Sequence, residues 1–287
     1  MIFFGVSTLL FDDGETAILT DGFFSRPNKL RTLFTKIEPD SNLITRNLQR
    51  AAIKNLKAVI VLHSHFDHAF DAPEVARQTH AQLIGSESTR NIGLGHGLQE
   101  EEIQVIQDGE VLVYGRFRIR LLPSGHSPLT LLSRFRIHHV LLNGKIEEPL
   151  KVPARWFDYK EGGSYSMLIE HDGKTVLVQS SAGFKKGALI GQHADVVFLG
   201  IGTLGKLDQS YQQDYWHEVV EAVQPRRVIP IHWDDFSLTL DRPLVPMPRP
   251  IDDFDKAMAF LLRQAGDTKI DLKILPAWIK ANPFADL

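Results

Sequence analysis

The sequence predicts an α/β fold, and three observations carry that prediction. Short runs of β-branched and apolar residues recur from residue 2 to residue 275. Stretches with helical spacing lie between them, as at 43–56, 208–223 and 251–265. Several of the runs end in polar or histidine-bearing turns, and strand ends are where α/β proteins carry their chemistry.

Composition narrows the function. The chain has 287 residues, 43% hydrophobic and 23% charged, which is ample for a large core. Its net charge of −3 gives no global basic field, so nucleic acid is not an expected partner. Lys185-Lys186 and Arg226-Arg227 read as solvated pairs. Cysteine is absent, which excludes disulfides, thiolate metal sites and a cysteine nucleophile. No apolar run approaches the ~20 residues of a membrane span. The start, Met1-Ile-Phe-Phe-Gly, lacks a basic n-region and reads as a strand instead of a signal peptide, so a cytoplasmic location is the expectation.

Taken in order, residues 2–10 and 16–20 read as strands joined at Asp12-Asp13-Gly14, a hairpin signal. The second runs into Asp21-Gly22, which is turn chemistry. Helical spacing follows at 43–56. The run of β-formers from Ala58 to Leu62 then ends in His63, His65, Asp67 and His68. In an extended chain His63, His65 and Asp67 share one face, because side chains alternate with period two. A turn after His65 would swing His68 to a neighbouring position, giving a His pair beside an Asp-His pair. Imidazole with carboxylate suits borderline ions such as zinc, and also iron or manganese. The competing reading is a polar loop with accidental histidines.

Ala72-Pro73-Glu74 opens a short helix with Pro in its first turn, and His80 at its end reads as a surface or a satisfied core histidine. A strand at 82–84 leads to Ser86, an N-cap for 87–92. Gly93-Leu94-Gly95-His96-Gly97 is a glycine-rich loop whose histidine is either exposed or reaches a pocket. Strands at 103–106, 111–114 and 116–122 end in Leu122-Pro123-Ser124-Gly125-His126, a sharp turn presenting one histidine. Residues 127–163 have no clear period and hold Arg155, Trp156, Phe157, Tyr159 and Lys160. A substrate-selecting lid or pocket wall and a peripheral insertion both remain open there. His138-His139 read as strand residues and not ligands. A hairpin over 164–170 and 174–179 ends in Gln179-Ser180-Ser181-Ala182-Gly183. Residues 194–201 form a buried strand, and His217 is an ordinary member of the helix at 208–223. The last core strand, 227–231, ends in His232-Trp233-Asp234. The proline-rich stretch 242–250 cannot be regular, and a helix at 251–265 and a strand at 271–275 close the chain.

The pattern His63-x-His65-x-Asp67-His68 resembles the signature of the metallo-β-lactamase superfamily. The turns bearing His126 and His232 resemble its later motifs, so the likeness spans nearly the whole chain. It implies one domain over 1–287, an αββα four-layer sandwich of two mixed β-sheets flanked by helices, with 127–163 as a lid or insertion. It implies that His63, His65 and His126 hold one metal and that Asp67, His68 and His232 hold a second. The cofactor would be Zn2+, one ion or two, with Mn2+ or Fe as alternatives. A metal-bound hydroxide would be the nucleophile, Asp67 could accept a proton from it, and Asp21 would support the metal loop. One departure stands out: where the family has an Asp bridging two metals, this chain has Ser181, or Ser180 if the register slips.

The His126 and His232 motifs look most like the ascorbate-6-phosphate lactonase and N-acylphosphatidylethanolamine phospholipase D relatives. That likeness implies a hydrolase of a phosphoester, phosphodiester or lactone in a small or lipid-like substrate. The alternatives are a metal-binding module with little turnover and a mononuclear iron oxygenase of the same fold. The residues specify no oligomeric state.

Overall fold

The computed structural model describes residues 1–107, 109–128 and 142–287. The first sheet holds β1 (Ile2–Gly5), β2 (Thr8–Asp12), β3 (Ala17–Thr20), β4 (Leu56–Ile60), β5 (Gln82–Gly85) and β6 (Ile103–Val105), in that spatial order. The second holds β7 (Val111–Tyr114), β8 (Phe117–Ser124), β9 (Ser164–His171), β10 (Lys174–Gln179), β11 (Val196–Gly200), β12 (Arg227–Ile231) and β13 (Asp271–Leu272), also in sequence order. Helices flank the pair: α1 (Lys29–Phe34), α2 (Ser41–Arg50), α3 (Phe66–Ala69), α4 (Ala72–Thr79), α5 (Glu87–Gly95), α6 (Gln209–Tyr215) and α7 (Phe254–Thr268). Among the described residues no helix is long and apolar enough to cross a membrane.

Both sheets are mixed in the same way. Strands β1 to β3 are antiparallel, and β3 to β6 run parallel. Strands β7 to β10 are antiparallel, and β10 to β13 run parallel. Since β8 and β10 both oppose β9, they point the same way. The carboxyl ends of β3 and β4 therefore share one edge of the first sheet. Those of β8, β10, β11 and β12 share one edge of the second. Every candidate site residue lies just beyond one of these ends.

Strand β4 shows why its register is firm. Ala58, Ile60 and Leu62 enter the core that also takes Ile119, Met167 and Val178 of the second sheet. Val59 and Val61 face the other way, into a cluster with Ile44 and Leu48 of α2 and Val75 of α4. A one-residue slip would exchange these two faces, and each large aliphatic side chain buried is worth roughly 1.5–3 kcal/mol.

The structure moves several expected boundaries. The stretch 2–10 is not one strand: Val6, at φ 50°, breaks it into β1 and β2. The helix read at 43–56 stops at Arg50, since Ala52 and Asn55 take left-handed φ and Leu56 already belongs to β4. Helix α7 starts later than 251 because Asp253 caps it, accepting from Lys256 N at 3.3 Å. Strand β13 is two residues long. His80 ends α4 in the left-handed region and is exposed, and Ser86 caps α5 as read. His138-His139 and the middle of the 127–163 stretch lie outside the described residues.

Candidate metal centre

The chain leaves β4 and turns at His65, the N-cap of α3. That turn separates the histidine motif into two groups. Potential ligand atoms of His63, His65 and His126 lie within 4.8 Å of one another, and so do those of Asp67, His68 and His232. The groups adjoin, with the His63 and His68 ring centroids 3.7 Å apart. His65 Nδ1 stands 3.2 Å from His126 Nε2. His68 Nε2 stands 3.2 Å from His232 Nε2, and Asp67 Oδ2 is 3.1 Å from the same His232 nitrogen. Strands from both sheets thus bring all six side chains to one place.

Hydrogen bonds behind the rings set the tautomers. His65 Nε2 donates to Leu142 O at 3.2 Å, and His126 Nδ1 donates to Ser127 O at 2.9 Å. His68 Nδ1 donates to Asp21 Oδ2 at 2.8 Å. That carboxylate also accepts from Ser7 Oγ at 2.6 Å and from Leu62 N at 3.1 Å. A neutral imidazole that donates from one nitrogen has only a lone pair on the other. The nitrogens of His65 and His126 that face each other at 3.2 Å are then both acceptors. Two lone pairs so placed repel unless a cation lies between them. His63 Nε2 is buried with no hydrogen-bond partner. An orphaned buried nitrogen costs about 1–3 kcal/mol, which metal coordination would recover. The donor set fits a metal ion.

Electrostatics point the same way. Burial, reinforced by the neighbouring imidazoles, holds His63 well below the usual histidine range, and the same causes act on His126. Burial opposes the charge of Asp67, but His68 and His232 outweigh it and keep the carboxyl low. Burial also opposes charge on His232, and there the hydrogen bond and charge of Asp67 prevail and raise it. His63 and His126 are therefore held neutral, with lone pairs free to coordinate, and the second group pairs an anion with imidazoles.

The profile of the metallo-beta-lactamase superfamily matches residues 1–150, more than half of the chain. The chain belongs to the metallo-beta-lactamase superfamily. Its relatives include UPF0173 metal-dependent hydrolases from Staphylococcus aureus strains MRSA252 and JH9. Each is 27% identical over 243 residues, which cover 82% of this chain and 86% of the relative. Among solved structures, Igni18, a metallo hydrolase from Ignicoccus hospitalis, matches with a TM-score of 0.56 at 16% identity, covering 96% of this chain and 94% of the other. CmlA, a diiron β-hydroxylase from Streptomyces venezuelae, matches at 0.56 and 15% identity, covering 95% of this chain and 52% of the other. At such identities the shared property is the superfamily fold.

Within this superfamily framework, strained backbone supports the second group. Asp21, Arg26 and His232 are all non-glycine residues at positive φ, with values of 56°, 42° and 57°. Each such position costs of order 1–3 kcal/mol and persists only where its surroundings hold it. Here the surroundings are a buried ion pair. Arg26 NH1 lies 2.7 Å from Asp234 Oδ2, with both side chains almost fully buried. Asp234 Oδ1 accepts from Val6 N at 2.6 Å, and His232 N donates to Val6 O at 2.7 Å. Gly5 is required: a Cβ there would lie 2.7 Å from Asp234 Oδ2 and would also strike the Arg26 guanidinium. Gly202 is required for a similar reason, since its Cβ would come within 2.8 Å of His232 Nδ1.

A cavity of about 470 Å³ opens over both groups. His65, Asp67, His126 and His232 reach it, and Leu33, Phe66, Leu142, Trp156, Phe236 and Met247 supply apolar wall. Ser181 also reaches it, while its Oγ accepts from Ser127 N at 3.0 Å. Ser180 instead backs the site, with Oγ 3.4 Å from His63 Nδ1. The described end of the 127–163 stretch belongs to the pocket: Leu142 and Trp156 line it, and Tyr159 is buried against Phe66 and Phe70. His96 does not line the cavity; its Nε2 meets the Tyr159 hydroxyl at 3.4 Å. His217 is exposed on its helical segment and pairs with Glu221 at 2.9 Å. Sequence reasoning passed over Ser7, Arg26 and Asp234. Only Asp234 carried a signal, as an acid two residues after a site histidine.

Proposed function

We propose that this protein is a metal-dependent hydrolase of a phosphoester, phosphodiester or lactone in a small or lipid-like molecule. His63, His65 and His126 would hold one ion, and Asp67, His68 and His232 a second. The observation that carries the reading is the 3.2 Å approach of two imidazole nitrogens whose other nitrogens are already donating. When bound, the ions would supply a water acidified towards a pKa of ~7 and would polarise a carbonyl or phosphoryl oxygen. A nitrogen-rich donor set suits zinc, with manganese or iron as competitors.

The chain's own residues have separate tasks. Asp67 Oδ2 offers a carboxylate to accept a proton beside His232. Asp21 fixes the tautomer and orientation of the His68 ring from behind. The apolar wall excludes bulk water and seats the apolar part of a substrate, and residues 142–163 form part of that wall within a single domain spanning 1–287. Ser181 stands where a bridging carboxylate would be expected. Two divalent ions would then face one carboxylate, which weakens the second ion and favours an anionic substrate.

Metal analysis of protein purified without chelators tests this, followed by hydrolysis of bis-p-nitrophenyl phosphate, aryl phosphates and lactones. The expected result is at least one firmly held ion per chain and a hydrolysis that His65→Ala abolishes. Protein that takes up no ion, or activity that survives His65→Ala, would refute the reading. Two equally tight ions would refute the weakened second position.

A further inference from the structure

We propose that α1 docks this protein onto an anionic lipid surface and that the cavity draws its substrate from there. The second clause rests on the hydrolase reading; the docking itself does not.

Helix α1 buries none of its residues. Leu30, Leu33 and Phe34 are 71%, 54% and 74% exposed. Their i, i+3, i+4 spacing puts them on one face of the helix, where a soluble surface helix ordinarily has polar groups. The helix is nevertheless held in place. Asn28 caps it, accepting from Arg31 N at 3.0 Å, and Lys29 pairs with Asp235 at 2.8 Å. Just upstream, the Asp71 carboxylate accepts from Phe24 N at 2.7 Å and Ser25 N at 2.6 Å, anchoring the segment that leads into it. Leu30 and Phe34 stay more than 70% exposed on a fixed, capped helix whose other face borders the cavity, and that apolar pair calls for an occupant from outside.

Two further observations identify that occupant. Lys29, Thr32 and Leu33 line the same cavity as His65, His126 and His232, so the apolar face is continuous with the way in. The segment from Arg26 to Ile37 contains no acid. Arg26 and Lys29 are paired with Asp234 and Asp235, whereas Arg31 and Lys36 are exposed and make no ion pair among the described residues. In a chain of net charge −3, Arg31 and Lys36 thus set two exposed cations beside the apolar face, ahead of the acids Glu38 and Asp40. That combination suits an anionic lipid interface, which takes the leucines and phenylalanine below the headgroups and meets the cations at their level. A second copy suits it less, because a two-fold contact through this face would bring the Arg31 and Lys36 cations of both copies into one interface.

The test is co-sedimentation of the full chain with vesicles of phosphatidylcholine alone or mixed with phosphatidylserine. Binding should require phosphatidylserine and weaken as salt is raised. Leu30→Ser with Phe34→Ser should lower the partition coefficient roughly tenfold or more, since both side chains would insert. Arg31→Glu with Lys36→Glu should lower it by about fivefold or more per residue. Both double variants should keep hydrolysis of a water-soluble ester at the wild-type level. The proposal is overturned if wild type binds neither vesicle, or if binding is indifferent to both double variants. A concentration-dependent dimer that Leu30→Ser with Phe34→Ser dissolves would assign the face to a second copy and overturn it too. Vesicle binding without any hydrolysis would leave the docking standing and count against the hydrolase reading alone.

Discussion

The His63–His65–His126 group and the Asp67–His68–His232 group stand side by side, yet the fold supports them with different materials. The first is all imidazole, and the rings of His65 and His126 are oriented by main-chain oxygens of Leu142 and Ser127. The second contains a carboxylate, has Asp21 behind His68, and is anchored by Asp234, two residues beyond His232, in its ion pair with Arg26. Carbonyls orient a ring without adding net charge. Carboxylates orient it and also strengthen its basicity, at the cost of burying ions that must stay paired. The second group should therefore be the more sensitive to changes at a distance.

Several substitutions can break or sharpen that contrast. The largest effect is expected from Arg26→Met, which leaves Asp234 buried without its cation. Breaking one side of such a pair costs about 3–5 kcal/mol, and urea denaturation should show it. A denaturation midpoint that did not move would mean that His232 is held by other contacts. Asp21→Asn comes next. It should weaken metal binding at the second group by about 10–100-fold while the first group binds as before, as two-phase metal titration would reveal. Equal weakening of both would erase the distinction.

His96 gives a reference point outside either group. Burial pulls it down to about 4, with Glu74 acting weakly the other way and the neutral Tyr159 hydroxyl against its Nε2. Its folded value lies below its unfolded one, ~6.5, so its contribution is complete above pH ~6.5 and is lost as pH falls towards 4. At pH 5 that loss is about 1–2 kcal/mol, and His96→Asn should flatten this part of the stability profile of the metal-free protein. An unchanged profile would place the acid sensitivity in the two histidine groups. The smallest expected effect is that of Ser181→Asp. Restoring a carboxylate should tighten the second ion by roughly tenfold and bring the two affinities together. No gain there would show that Ser181 is not where a shared anion would act.

Much of this was legible in the residues. A run of β-formers from Ala58 to Leu62 located β4, and the cluster that follows it named four of the six candidate ligands. The turns at the ends of β8 and β12 named His126 and His232. What the residues did not reveal follows a physical pattern. Val6 breaks a strand because the chain must hand its N–H to Asp234 and its carbonyl to His232, and neither partner is near in sequence. Helix α1 has too few residues for a helical period to stand out within a basic, polar stretch. Leu142 and Ser127 act through carbonyls, which every residue has.

By itself, then, the sequence determined which side chains could bind a cation and which strand each would follow, because alternation and turn chemistry are local. Tertiary structure decided which nitrogen of each ring faces inward. That choice is made by partners such as Leu142, 77 positions from His65, and Asp21, 47 positions from His68. A ring's tautomer answers to whatever acceptor the fold brings behind it, and no local pattern encodes that acceptor.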